Sequence, residues 1–316
     1  MDVKMLNRCH TLSFKILAAV VMTAVFLSAC QSVPATGSTE HENDKLQVIA
    51  SFYLMADFAV KIGGDLIQVT NLVPSGIEPH EWEPATTDMT LLEQADMLIY
   101  NGAGMEHWID SVESALDNKD LFLVETAREI ALKPAKGETK DRQDSDPHVW
   151  LSPLNAKKQL QSILKALVQA DPANQASYQE NYDHWAAEMD KLDQDFRSGL
   201  TDLPNREIIV AHQAFGYLCA EYGLVQVAIE GLMADSEPDP ARMAEIVSFA
   251  RDHDVSVIFF EQLASQKVAD TIAREIGART AVLNPLEGLT DDQLAAGDDY
   301  FSVMRQNLAA LVDALA

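Results

Sequence analysis

Eight short runs of apolar and β-branched residues fall into two groups of four, and longer amphipathic segments separate the members of each group. The first group is 46–52 (LQVIASF), 67–73 (IQVTNLV), 97–101 (MLIYN) and 121–125 (LFLVE), and the second is 206–211 (REIIVA), 225–229 (VQVAI), 255–260 (VSVIFF) and 280–284 (TAVLN). Helical patterns over 54–63, 87–95, 105–117, 241–253 and 268–277 lie between them. A strand that reaches its neighbour through a helix pairs with it in parallel, so each group predicts a parallel sheet covered by helices. The fold class is α/β, as two parallel-sheet lobes. Residues 152–200, between the groups, carry no strand pattern. Asp171 and Pro172 read there as a helix N-cap and first helical residue, and no further Pro or Gly follows before Gly199. A helix of ~28 residues is about 40 Å long at 1.5 Å per residue. That exceeds what one lobe needs, so it predicts a long rigid helix joining the two lobes.

The start of the chain stands outside this pattern. Lys4, Arg8 and Lys15 precede an uncharged apolar run over 16–29, which fits the basic and apolar regions of a secretory signal better than a bilayer span of ~20 residues. The run ends in Leu27, Ser28, Ala29 and Cys30. This resembles the bacterial lipobox, in which the cysteine thiol takes a diacylglyceryl group and becomes the mature N-terminus; an ordinary signal with a chance cysteine is the alternative. The polar, aperiodic residues after it suit a flexible tether. The expected division is a signal peptide at 1–29, a tether at 30–45, an N-terminal lobe at 46–151, a linking helical segment at 152–203 and a C-terminal lobe at 204–316.

Charge bounds the partners. With 23 Lys and Arg against 49 Asp and Glu, the formal charge is −26, which opposes any polyphosphate ligand and excludes nucleic acid as a partner. The same charge repels anionic lipid, so attachment to a bilayer has to be hydrophobic, through acylated Cys30. The chain is expected to be extracytoplasmic, membrane-anchored and monomeric. Three cysteines, at 9, 30 and 219, build neither a disulfide framework nor a Cys/His zinc finger. Cys219 follows Leu218 in an apolar stretch and reads as a buried thiol.

Of eight histidines, one lies in the leader, one in the tether, and His107, His184 and His253 lie within helical patterns beside charged residues. The other three occupy strand exits or proline-stiffened loops: His80 in PSGIEPHEWEP, His148 in DPHVWLSP and His212 in AHQAFGY. Proline fixes φ and restricts the residue before it, which suits a preorganised ligand. Open α/β sheets bind ligands beyond the carboxyl ends of their strands. Glu287, in LNPLEGL after the last strand, is placed in the same sense. Taken singly, each histidine also suits a loop residue bonded to a backbone carbonyl. Together, three imidazoles and one carboxylate make a natural tetrahedral zinc set, with two members from each lobe.

The segments PHEWEP, DPHVWLSP, AHQAFGY and LNPLEGL resemble, in order, the signature segments of the metal-specific solute-binding lipoproteins of bacterial ABC importers, the ZnuA/AdcA type. The resemblance runs from about residue 46 to the C-terminus. It implies two α/β lobes joined by a rigid helix, a metal bound between them, and delivery of that metal to an ABC permease. It carries metal-ligand roles to His80, His148 and His212 and the last-ligand role to Glu287. Manganese members resemble the pattern with a carboxylate in the place of His212; a third imidazole favours Zn2+ over Mn2+, which prefers oxygen donors. The sequence departs from many relatives at Asn284, where an LDPL pattern places a ligand aspartate, and the 131–146 segment (ALKPAKGETKDRQDSD) lacks the histidine-rich loop of several zinc members.

A zinc hydrolase is the competing enzyme reading. Catalysis keeps an open position for water, and neither an HExxH helix nor a GxSxG elbow is present. Glu81 and Glu83 flank His80 as candidate bases, but in an acidic loop they read as solvated. The expectation is therefore a binding protein and not an enzyme. A surface adhesin is the third class, permitted by a lipid anchor and required by no motif.

Overall fold

A computed structural model describes residues 45–134, 145–232, 238, 240–263 and 265–316. The leader, the lipobox with Cys30 and nearly all of the tether lie outside the described residues, as does most of the 131–146 segment.

Each group of four runs forms one four-stranded, all-parallel sheet. The first comprises β1 (Leu46–Ala50), β2 (Ile67–Asn71), β3 (Met97–Tyr100) and β4 (Phe122–Glu125) in the order β2-β1-β3-β4. The second comprises β5 (Glu207–Val210), β6 (Val225–Ala228), β7 (Val257–Phe260) and β8 (Arg279–Val282) in the matching order β6-β5-β7-β8. The connecting helices are α1 (Tyr53–Gly63), α2 (Thr86–Glu93) and α3 (Ile109–Ala115) in the first lobe. Between the sheets lie α4 (Pro153–Ala170) and α5 (Gln175–Leu200), and the second lobe holds α6 (Gly216–Tyr222), α7 (Pro240–Asp252), α8 (Lys267–Ile276), α9 (Asp291–Ala296) and α10 (Tyr300–Leu315). No helix among the described residues is long and apolar enough to cross a membrane.

Parallel strands covered on both faces read as continuous apolar runs, and their side chains divide by parity. Val48 and Ala50 of β1, Met97 and Ile99 of β3, Ile208 and Val210 of β5, and Val257 and Phe259 of β7 all enter one continuous core. The alternate residues Ile49 and Leu98 face a separate cluster over the first sheet, and Ile209 and Ile258 face another over the second. The inner faces of both sheets therefore share one core, which also takes in α4, α5 and α10.

The segment between the sheets holds two helices where the sequence pattern marks one. Ser152 caps α4 by accepting from the Asn155 amide at 3.4 Å, with Pro153 at the first helical position. Asp171 ends α4 and opens a 3-10 turn over Pro172–Asn174. Its carboxylate accepts from Asn174 Nδ2 at 2.6 Å and from the Tyr178 hydroxyl at 2.8 Å. The expected cap thus acts one turn ahead of α5, whose 26 residues span about 39 Å at 1.5 Å per residue. At the other end of the chain, α10 is capped reciprocally by Asp299 and Ser302 and drives Tyr300 into the first lobe, where its ring meets Phe58 edge-on with centroids 5.2 Å apart.

Candidate metal centre

The structure brings His80, His148, His212 and Glu287 together from four separate loops. All four are buried, and one ligand atom from each lies within 4.8 Å of the others. His80 sits in the loop after β2 and His148 just ahead of α4, while His212 follows β5 by two residues and Glu287 follows β8. His80 Nε2 is 3.1 Å from His148 Nε2, which is 3.3 Å from His212 Nε2. Glu287 Oε1 lies 2.9, 3.2 and 3.5 Å from the Nε2 atoms of His148, His212 and His80. Four ligands held about 2.0–2.1 Å from one tetrahedral zinc ion stand about 3.3–3.4 Å apart, so the observed spacings fit such an ion.

Two carboxylates behind the imidazoles fix which nitrogens face inward. Asp146 Oδ1 lies 2.8 Å from His148 Nδ1, and Glu261 Oε1 lies 2.6 Å from His212 Nδ1. A histidine whose Nδ1–H donates to a carboxylate turns its Nε2 lone pair toward a metal and gains basicity. Glu287 Oε1 is buried, and the polar atoms that face it across the cluster are the three imidazole nitrogens. A buried carboxylate oxygen facing three imidazole nitrogens calls for a cation.

The charge states agree. Burial lowers His148 and His212, yet Asp146 and Glu287 lift His148 above the ordinary histidine range, and Glu287 and Glu261 lift His212 well above it. Burial pushes His80 below that range against the pull of Glu287. Burial also raises Glu287, but the imidazoles of His212 and His80 hold its carboxyl well below the usual range. Glu78, next to this charge, is pushed up to about 8 by burial and by Glu287. The neighbouring carboxylates favour protons on His148 and His212, and a divalent ion would compete with those protons.

The loops are braced across the lobes. Trp150 Nε1 donates to the Pro285 carbonyl at 2.7 Å, and the Tyr300 hydroxyl donates to the Trp150 carbonyl at 2.8 Å. The Tyr217 hydroxyl donates to the Asp146 carbonyl at 2.9 Å. A Cβ on Gly216 would stand 2.7 Å from Asp146 Oδ2, so only glycine lets α6 approach the carboxylate that orients His148. A cavity of about 220 Å³ between Tyr53, Asn71, Ser75 and Leu289 has Glu287 in its wall.

The remaining expectations resolve simply. His107 stands in a turn ahead of α3 instead of inside a helix, half exposed and 3.3 Å from Glu83; His184 and His253 also stay outside the cluster. Glu81 and Glu83 are exposed. Cys219 is buried, which pushes its thiol up to about 12. Asn284 does not join the cluster, because its side chain accepts from the Leu286 amide at 2.7 Å and donates to Gln262 Oε1 at 3.2 Å. Sequence reading missed Asp146 and Glu261. Glu261 directly follows β7, so the strand-exit rule that marks His212 marks it as well.

A family model described as "Zinc-uptake complex component A periplasmic" matches residues 48–314. The chain is 40% identical to the high-affinity zinc uptake system protein ZnuA of Bacillus subtilis, over 93% of this chain and 96% of that protein. It is 34% identical to the zinc-binding lipoprotein AdcA of Streptococcus pneumoniae, over 92% of this chain and 58% of that longer protein. The crystal structure of the Zn(II)-bound ZnuA-like domain of Streptococcus pneumoniae AdcA matches with a TM-score of 0.76 at 35% identity, covering 86% of this chain and 99% of that one. With its two matching sheets, its cluster of three histidines and a glutamate, and a family match over nearly all the described residues, the chain belongs to the ZnuA family of zinc-uptake components.

Proposed function

We infer that this chain is the extracytoplasmic zinc-binding component of an ABC zinc uptake system, which captures the ion and hands it to a permease. The observation that carries the reading is the convergence of three buried imidazole Nε2 atoms on one buried carboxylate oxygen. Three nitrogen donors suit zinc better than manganese. Zinc is here the cargo, and the output is docking rather than chemistry. We propose His80, His148, His212 and Glu287 as its ligands, supported by their spacing.

The sequence further supports a lipid anchor at Cys30, and we propose that the protein works as an anchored monomer divided into leader 1–29, tether 30–45, lobes 46–151 and 204–316, and a linking segment 152–203. Release is proposed to proceed by local loop movement rather than by a wide hinge, since one core runs through both lobes. The test is metal analysis of the purified mature protein, followed by competitive titration with zinc and manganese. One equivalent of tightly bound zinc that manganese fails to displace is expected. Preferential manganese retention, or no stoichiometric metal, overturns the reading.

A further inference from the structure

We propose that Asn307, on α10 and outside the metal cluster, is a positioning residue for the fourth ligand; the proposal rests on Glu287 being that ligand. Asn307 is 2% exposed and uses both ends of its amide on a single residue of the ligand loop. Its Oδ1 accepts from the Asn284 amide at 2.8 Å, and its Nδ2 donates to the Asn284 carbonyl at 2.7 Å. Asn284, so clamped, turns its own Oδ1 to the Leu286 amide at 2.7 Å. Trp150 Nε1 holds the intervening Pro285 carbonyl at 2.7 Å. The chain leaves this clamp through Leu286 at φ 63°, a left-handed conformation unfavourable for a bulky residue and sustained only where the surroundings impose it. Glu287 comes next, with its Oε1 facing the three imidazoles.

The clamp also explains why residue 284 is not a ligand. Its side chain is committed to the turn that aims Glu287, accepting from the Leu286 amide and donating to Gln262 Oε1.

A double-mutant cycle tests this on the full mature chain. Zinc affinity is measured by chelator competition for wild type, Asn307→Leu, Glu287→Ala and the double variant, with Asn307→Asp read in the same way in case the apolar replacement does not fold. Asn307→Asp keeps the acceptor for the Asn284 amide and loses the donor to its carbonyl. The expected result is a loss on the order of 10–100-fold for Asn307→Leu, as for other residues that orient ligands, a loss for Asn307→Asp as well, and no further loss when either is added to Glu287→Ala. A general destabiliser would instead weaken binding equally in both backgrounds. Wild-type affinity in both Asn307 variants, or a full additive loss in the Glu287→Ala background, overturns the proposal while leaving the ligand assignment intact. Wild-type affinity in Glu287→Ala overturns the assignment itself and this proposal with it.

Discussion

The two lobes share a strand order but put the same crevice to different use. In each, the first and third strands lie side by side at the centre of the sheet, where open α/β folds place their ligands, and in each a buried glutamate sits beyond those strand ends. In the N-terminal lobe this is Glu106, which accepts from the Ser51 hydroxyl at 2.7 Å and from the Asn101 and Gly102 amides, both at 2.9 Å. Burial pushes its carboxyl up, and the network closes on itself. In the C-terminal lobe it is Glu261, which holds Nδ1 of His212. Ser51 and His212 both lie just beyond the first strand of their sheet, so one topological position serves as a structural knot in one lobe and holds a proposed ligand in the other. The fold supplies the same place in both lobes, and the residue at the first strand's exit differs between them.

The largest effect tests whether each lobe supplies half the site. Replacing both N-terminal imidazoles, His80→Ala with His148→Ala, should weaken zinc binding on the order of 10⁴-fold, since ~10–16 kcal/mol shared among four ligands is about 3 kcal/mol each. Isothermal titration against a chelator reads it, and an unchanged affinity removes the N-terminal lobe from the site. Next come the paired glutamates. Glu261→Gln should cost about 10–100-fold in zinc affinity. Glu106→Gln should instead destabilise the fold by about 1–3 kcal/mol, seen in urea unfolding, with zinc affinity nearly unchanged. Equal effects on affinity would erase the contrast between the lobes.

Proton competition gives a graded third test. His148 and His212 carry raised values without metal, and zinc requires them neutral. Zinc affinity should therefore fall as pH falls, beginning above the ordinary ~6.5, by about tenfold per pH unit for each proton displaced. The sign for folding is opposite. A raised value stabilises the metal-free protein fully below ~6.5 and loses that contribution as pH rises through the folded value, so above ~6.5 these two residues make the metal-free protein less stable while zinc binds more tightly. Parallel melting curves with and without zinc across that window check both. The smallest expected effect is Gly216→Ala, whose methyl crowds Asp146 Oδ2. It should lower stability by about 1–3 kcal/mol and zinc affinity severalfold, measured as a faster zinc off-rate.

Much of this organisation is legible in the residues. Every predicted strand lies within a residue or two of its observed place, because doubly covered parallel strands are short apolar runs bounded by turns and their signal is local. His80, His148, His212 and Glu287 stand out for the same reason, since strand exits and prolines are local features. Helix α4 is less legible: the absence of a strand pattern over 152–200 does not separate one long helix from two successive ones. Asp146 and Asn307 were not legible, because what marks them is the atom each touches, whereas Glu261 stands at the exit of β7 and carries that local signal.

By itself, the sequence determined the α/β class, the two groups of strands, the acidic composition and a set of imidazole and carboxylate donors of the kind that suits zinc, since each follows from periodicity, charge or side-chain chemistry along the chain. Only the tertiary structure decided that the inner faces of both sheets share one core, that the four candidate ligand atoms converge within 4.8 Å, and that Asn284 is held in the turn while Glu287 faces the imidazoles. Those outcomes depend on which loops pack against which across more than 200 residues of chain between His80 and Glu287, and sequence spacing carries no measure of a distance that folding closes.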